Sequence, residues 1–353
     1  MNRPSAPVKV SIDLTTRCNL SCVHCRHSRR DATHDELEYD QVRSVLDDLA
    51  RISVFRIGIS GGEPFIRDDA PDLIRYAAAR APGRVFVSTN GTLVDDDLLT
   101  GLSPAKNRLT FKISLDGPRE IHDAVRGRTG AFDTASGAIK LCHERGFCVE
   151  VTTTVSRETI PYLDDLARYV MGLGCSRYNF IEIIPVGNAT RAMCLDSQMR
   201  MRTWNILQRI RAENPSSESA ILIRIPFAGT GTQALGCTAG TRECGILADG
   251  SVVGCRLLPH IREGNVKTRS ISDIWSDPRS FGFFLEASPA GRDPLCRTCP
   301  RLNTCRGGCR AYSLGFLGDA AARDPRCPGP AADPAYGYLS PVHPDNEQQD
   351  RSA

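Results

Sequence analysis

Between Val8 and Ile184, short runs rich in Val, Ile, Phe and Thr alternate with longer stretches whose apolar residues recur every three or four positions. Val8–Leu14, Val54–Ile59, Arg84–Thr89, Leu109–Leu115, Phe147–Val155 and Tyr178–Ile184 read as strands, each followed by a polar or glycine-containing turn. Asp40–Arg51, Ala70–Arg80, Asp95–Leu102, Phe132–Arg145 and Ile160–Leu173 read as helices. In the last of these, Leu163, Leu166 and Val170 share one helical face.

Strand followed by helix, six times over, predicts an α/β fold with a parallel sheet and crossover connections. Six units fall short of the eight of a closed barrel. The expectation is a partial, open (β/α)6 TIM-like barrel over residues 1–213, closed off by a helix at Ser197–Glu213, with its functional loops at the C-terminal ends of the strands. Polar Asn214–Ser219 opens a linker or bridging segment, 214–235. From 236 to 327 Gly, Pro, Cys and Arg dominate and helical or strand periodicity fades. A segment with so few apolar residues is expected to need metal staples in place of a core. The tail, 328–353, is rich in Pro, Asp and Ala and is expected to be mobile.

Composition narrows the possible functions. With 41% apolar and 24% charged residues in 353, the chain can fold around a full core. The 44 basic and 41 acidic residues are interspersed, with no basic block, which disfavours nucleic acid or a membrane surface as partner. No run of eighteen apolar residues is present, and Met1–Ser11 lacks the apolar core of a signal peptide. The expected location is therefore the cytoplasm. Fifteen cysteines in that reducing compartment are poor disulfide partners, and where they cluster metal is the first reading.

Cys18-x3-Cys22-x2-Cys25 follows the first strand, at the mouth of the expected barrel. Three thiolates leave a metal centre one ligand short. A structural zinc wants four, and His24 or His27 could complete it. A four-iron cluster on three thiolates instead keeps one iron open for an exogenous ligand, which is a catalytic arrangement. Gly61-Gly62-Glu63-Pro64 follows the second strand. Its glycines would let a ligand near the backbone, and its carboxylate could receive an ammonium group. Alone, the same tetrapeptide would read as a turn before a helix.

Together with Ser88-Thr89-Asn90-Gly91 and Ser114-Leu115-Asp116-Gly117 after strands three and four, these motifs resemble the radical S-adenosylmethionine superfamily. The C-terminal cysteines extend the likeness. Cys237-x12-Gly250-x4-Cys255, then Cys296-x2-Cys299-x5-Cys305-x3-Cys309, then Cys327, is similar to the SPASM extension, which carries two auxiliary [4Fe-4S] clusters. Without the N-terminal motif, the Cys-x2-Cys pairs would read equally well as zinc sites.

The resemblance implies roles residue by residue. Cys18, Cys22 and Cys25 would hold the cluster that binds S-adenosylmethionine, with His24 on the adenine side. Gly61, Gly62 and Glu63, with Pro64, would receive the methionine amino group. Ser114 and Arg126 would contact the cofactor's polar groups, and Asn90 and Asp116 would line the same pocket. The first auxiliary cluster would take Cys237, Cys244, Cys255 and Cys309; the second would take Cys296, Cys299, Cys305 and Cys327. Three [4Fe-4S] clusters and S-adenosylmethionine are thus the implied cofactors, with an external one-electron donor such as flavodoxin or ferredoxin.

The implied chemistry is reductive cleavage of S-adenosylmethionine to a 5′-deoxyadenosyl radical, which abstracts hydrogen from an unactivated carbon. The fate of the substrate radical then sets the outcome: oxidation, epimerisation or crosslinking. In sulfatase-maturating relatives an Asp general base follows the third cysteine of the first auxiliary cluster; here Arg256 stands there. Glu182, at the end of the sixth strand, is the replacement base this reading offers, against a plain salt-bridged Glu. Cys194, in the loop after that strand, is the candidate hydrogen-atom donor, against an inert buried thiol. Because no leader-binding domain precedes Val8, the substrate expected first is a small polyhydroxylated or aminocyclitol-like intermediate of antibiotic biosynthesis, which this oxidoreductase would dehydrogenate. The alternative is a maturase acting on a ribosomally made peptide. A non-catalytic metal-binding protein or electron carrier is the reading from another class.

Overall fold

The computed structural model describes residues 3–27, 35–214, 220–225, 236–286, 293–300, 302–327 and 329. Six parallel strands form where the alternation predicted them: β1 (Lys9–Asp13), β2 (Arg56–Ser60), β3 (Arg84–Thr89), β4 (Leu109–Ser114), β5 (Cys148–Val155) and β6 (Arg177–Glu182). Between them lie α1 (Tyr39–Arg51), α2 (Ala70–Arg80), α3 (Asp96–Leu102), α4 (Arg119–Arg126), α5 (Ala131–Glu144) and α6 (Leu163–Gly172), followed by α7 (Ser197–Glu213). Only α4 has no counterpart in the sequence reading. It starts after Pro118 and stops at Gly127, whose φ of 66° suits glycine.

Two differences concern the chain after α7. The segment read as linker contributes a seventh parallel strand, β7 (Ala220–Arg224), beside β6. Residues 215–219 and 226–235 of that segment lie outside the described residues, as does the tail apart from Gly329. Beyond it, β8 (Glu243–Ile246) pairs in parallel with β1, and β9 (Ser251–Val253) and β10 (Arg262–Asn265) continue the sheet antiparallel. One open ten-stranded sheet therefore runs β10-β9-β8-β1-β2-β3-β4-β5-β6-β7. The C-terminal region also has an apolar core that the sequence reading did not expect. Trp275 at the end of α8 (Ile271–Ser276) packs with buried Phe281 and Phe284, and Arg3 from the N-terminal segment lies over Trp275 at 4.9 Å and Phe281 at 5.2 Å.

Strand alternation divides the sheet into two chemistries. Val10, Ile12, Ile57, Ile59, Val85, Val87, Phe111, Ile113, Val149 and Val151 point outward and pack the helices. Their alternates face inward and, apart from Gly58 and Phe86, those lining the interior are polar. Lys9, Ser11, Arg56, Ser60, Ser88 and Lys112 line an inner cavity of about 80 Å³, which Arg256 also reaches. Fully buried parallel strands are usually apolar on both faces; the polar inner face marks an interior kept for a ligand.

Candidate active site

The loop after β1 and the turn after β2 bind each other through the backbone. Gly62 N–H donates to Thr15 O at 2.8 Å and Glu63 N–H to Arg17 O at 2.9 Å. A Cβ at Gly61 would stand 2.3 Å from Thr15 O, and one at Gly62 would stand 2.1 Å from Arg17 O. These glycines thus permit the cysteine loop itself to approach, a role the sequence reading had given to a ligand. Pro64 is buried and opens a short helical turn.

Three further segments fix the cysteines. Ser21 N–H and Val23 N–H donate to the Arg126 and Val125 carbonyls of α4. Asn188 N–H donates to Cys25 O at 2.8 Å, and its side chain reaches Cys22 O at 3.2 Å. Sequence reasoning missed Asn188; the Gly187-Asn188 turn after the sixth strand was its only local signal. Asn90 Nδ2 points at Cys18 Sγ from 3.9 Å and also donates to Asn19 at 2.9 Å. Arg126 Nη1 points at Cys22 Sγ from 3.7 Å, and its Nη2 lies 2.6 Å from Asp116. Burial pushes the Cys18 and Cys22 thiols up, opposed at Cys22 by Arg126, and a bound metal centre would favour the thiolates further.

Glu63 is fully buried. Its Oε1 accepts from Thr89 Oγ1 at 2.8 Å and Phe65 N at 3.3 Å; among the described residues its Oε2 accepts only from Asn90 N, at 2.8 Å. Burial pushes its pKa up to about 7. A desolvated carboxylate that retains acceptor capacity fits an ammonium ligand such as the one S-adenosylmethionine carries. Asp116 behaves oppositely: burial alone would raise it, but Arg126, His24, His122 and the Thr154 N–H together hold it below its ordinary value.

His24 lines a cleft at the strand ends with Thr154, Ser156, Glu158, Ile183 and Met193. Burial lowers its pKa, favouring the neutral ring. Ser114 closes β4 on the inner face, in register with Thr152.

Two candidates are not where the sequence reading put them. Glu182 shares the outward parity of Tyr178 and Phe180, is 2% exposed, and accepts from Arg200 at 3.1 Å and Arg326 at 3.2 Å. It ties α7 to the C-terminal region, so the salt-bridged alternative holds and no cavity-facing base results. The carboxylate at the cleft is exposed Glu158, which the sequence reading passed over. Cys194 is likewise buried, with its thiol toward Thr190 O at 3.7 Å and against Tyr312, while its neighbour Met193 faces the cleft.

The C-terminal cysteines form two groups. Cys237 and Cys309 are charged neighbours of Cys255, and Cys305 and Cys327 are neighbours of Cys296. Cys299 N–H donates to Cys296 O at 3.2 Å. Fully buried Asp324 joins the groups, accepting from Cys309 N at 2.8 Å while its own carbonyl accepts from Cys327 N at 2.9 Å. Cys244 belongs to neither group; its charged neighbours are Glu243 and Arg3. None of the fifteen cysteines is in a disulfide. Among the described residues no three His, Cys, Asp or Glu side chains converge tightly enough for a single metal ion. A four-iron cube binds each cysteine through a separate iron and so asks for wider spacing than one zinc does.

Comparison with known proteins defines the class. Residues 12–170 match the model of the radical SAM superfamily, and residues 237–300 match SPASM, an iron-sulfur cluster-binding domain. The chain is 31% identical to the mycofactocin maturase MftC of Mycobacterium tuberculosis, over 94% of this chain and 89% of that one. It therefore belongs to the radical S-adenosylmethionine superfamily and carries a SPASM extension. It uses S-adenosylmethionine with a [4Fe-4S] cluster, and its extension binds auxiliary iron–sulfur clusters. It is also 28% identical to the AdoMet-dependent heme synthase of Methanosarcina barkeri, over 92% of this chain and 97% of that one. The fold matches the crystal structure of Streptococcus suis SuiB bound to the precursor peptide SuiA, with a TM-score of 0.77, 16% identity, and coverage of 92% of this chain and 76% of that one.

Proposed function

We propose that this enzyme is a maturase that modifies a peptide by radical chemistry. The observation that carries the reading is its 31% identity, over nearly its whole length, to a protein named as a maturase. Dehydrogenation of an aminocyclitol-like molecule, the substrate favoured by the sequence reading, finds no such support among these relatives, and antibiotic biosynthesis rests on that same reading.

Cys18, Cys22 and Cys25 would hold the first cluster, and the bound cofactors supply reductive cleavage of S-adenosylmethionine and hydrogen-atom abstraction. Around them the chain's own residues do five things. Arg126 and Asn90 direct N–H groups at the Cys22 and Cys18 sulfurs. Glu63 presents a desolvated carboxylate to the methionine ammonium. Asp116 fixes Arg126 in place, and His24, neutral, lines the adenine side. Arg56, Lys112 and Arg256 give the inner cavity its cationic lining.

Residues 1–213 together with β7 make up the catalytic barrel, and 236–327 the auxiliary-cluster domain. Among the described residues no helix is long and apolar enough to cross a membrane. We place the enzyme in the reducing cytoplasm, served by a flavodoxin- or ferredoxin-like donor.

The test is anaerobic. Reconstituted enzyme, S-adenosylmethionine and dithionite are incubated with short peptides encoded beside its gene. The expected result is 5′-deoxyadenosine, abolished by Cys18→Ala, together with a peptide that has lost hydrogen or changed configuration. Peptides left unchanged while an aminocyclitol loses two hydrogens would restore the first substrate reading. Zinc in place of iron would return the chain to the non-catalytic class.

A further inference from the structure

The strands that open the C-terminal domain decide which cysteines can share a cluster. β8 and β9 run antiparallel, with Gly245 opposite Val253 and Ile246 opposite Val252. Continued by one residue, that register sets Cys244 opposite Gly254, the residue that follows the end of β9. Directly opposed residues share a face and successive residues alternate. Cys244 therefore stands on the face of Ile246, Val252 and Gly254, and Glu243 on the other.

Independent contacts agree. A Cβ at Gly254 would meet the Phe284 ring at 2.3 Å, so the face of Cys244 is the apolar one, packed by Phe284, Phe281, Trp275 and Arg3. On its other side β8 pairs with β1, where Cys244 stands beside fully buried Val10. A Cβ at Gly245 would instead meet Arg256 Cγ at 2.3 Å, so the chain that carries Cys255 and Arg256 past the end of β9 turns toward the face of Glu243. Cys244 is 4% exposed and packs as an apolar core side chain. Glu243, the carboxylate on the ligand face, is already held by Lys9 at 2.7 Å and Thr238 at 2.6 Å.

We propose that Cys244 ligates no metal, and that the first auxiliary cluster is held by three thiolates, Cys237, Cys255 and Cys309, leaving one iron to an exogenous donor. The proposal rests on the iron–sulfur assignment above and differs from the fully cysteine-ligated cluster that the family resemblance implied. It makes the second auxiliary cluster the closed one, on Cys296, Cys299, Cys305 and Cys327. Electron transfer would fall to the closed cluster, while the open iron could take a donor from solvent or substrate.

The experiment uses the full chain with Cys18, Cys22 and Cys25 all changed to Ala, reconstituted anaerobically so that only auxiliary clusters remain. About eight irons per chain are expected. Adding Cys244→Ala, or the near-isosteric Cys244→Val, should leave the iron content and the EPR spectrum of the dithionite-reduced clusters unchanged. Addition of 13C-cyanide should produce a 13C hyperfine coupling in pulsed EPR. Loss of about four irons from both Cys244 variants, with Cys244→Ser retaining them, would make Cys244 a ligand and overturn the proposal. Unchanged iron without a 13C coupling would show a fourth protein ligand and overturn the open site. Zinc in the parent chain would overturn the cluster assignment itself, and this proposal with it.

Discussion

Arg256 Nη1 lies 2.7 Å from Asp13 Oδ1, the oxygen that also accepts from Arg26 Nη2 at 2.8 Å. One buried carboxylate at the end of β1 thus joins the cysteine loop, through Arg26, to the auxiliary-cluster domain, through Arg256. The position where sulfatase-maturating relatives carry a base is here occupied by a cation that holds the domain on the barrel.

Asp13→Asn should destabilise the protein by about 3 kcal/mol, because two cations would remain beside a neutral amide. Denaturant unfolding of the anaerobic protein measures it. Burial alone would raise Asp13, but Arg26 and Arg256 more than reverse this and bring it to about 2 from an ordinary 3.8. That depression contributes stability present in full above about pH 4 and lost as pH falls through about 2, roughly 2 kcal/mol in all. The variant should lose this part of the acid-unfolding slope.

Glu63 titrates in the opposite sense, since burial raises it to about 7. In the cofactor-free protein its stabilising contribution is present in full below its unfolded value and is lost as pH rises through about 7. If it receives the methionine ammonium, S-adenosylmethionine affinity should strengthen as pH rises toward 7, roughly tenfold per unit where Glu63 is mostly protonated. Equilibrium dialysis from pH 5.5 to 7.5 tests this. Glu63→Gln should bind roughly tenfold or more weakly at pH 7.5 and show a flat profile; an unchanged profile would leave Glu63 a purely structural anchor.

Gly62→Ala should cost the N-terminal cluster. Its Cβ would stand 2.1 Å from Arg17 O, a backbone atom that can move only if the loop carrying Cys18 moves too. Iron analysis is expected to fall by about four per chain, with the auxiliary clusters retained. Full iron content would show that the loop can retreat without losing its cysteines.

Glu182→Gln should lower stability by about 3 kcal/mol, because Arg200 and Arg326 would be left buried against a neutral group. Production of 5′-deoxyadenosine per folded molecule should persist. Loss of turnover with stability intact would reinstate Glu182 as the base.

Much of this could be read from the chain itself. All six strands of the barrel were legible because their outward residues must be apolar to pack the helices, and a period of two is visible in any window of six. The cysteine loop and the glycine turn were legible because their spacing is local. Strand β7 was hidden behind the polar, proline-containing run Asn214–Ser219 that reads as a linker, and α4 was too short to show a period. The C-terminal core was missed because Trp275, Phe281, Phe284 and Arg3 meet only after folding.

The roles of single side chains divide along the same line. Sequence by itself determined the class of chemistry, since a Cys-x3-Cys-x2-Cys loop between a strand and a Gly-Gly-Glu-Pro turn is a short-range pattern. Only the tertiary structure decided that Glu182 points outward to Arg200 and Arg326, that Arg256 reaches Asp13, and that Cys244 packs beside Val10 with Glu243 and Arg3 as its charged neighbours. Which face a strand residue takes depends on the register with strands far away in the chain, and a shift of one residue reverses it. That register is fixed by contacts such as Cys244 beside Val10, which no local window contains.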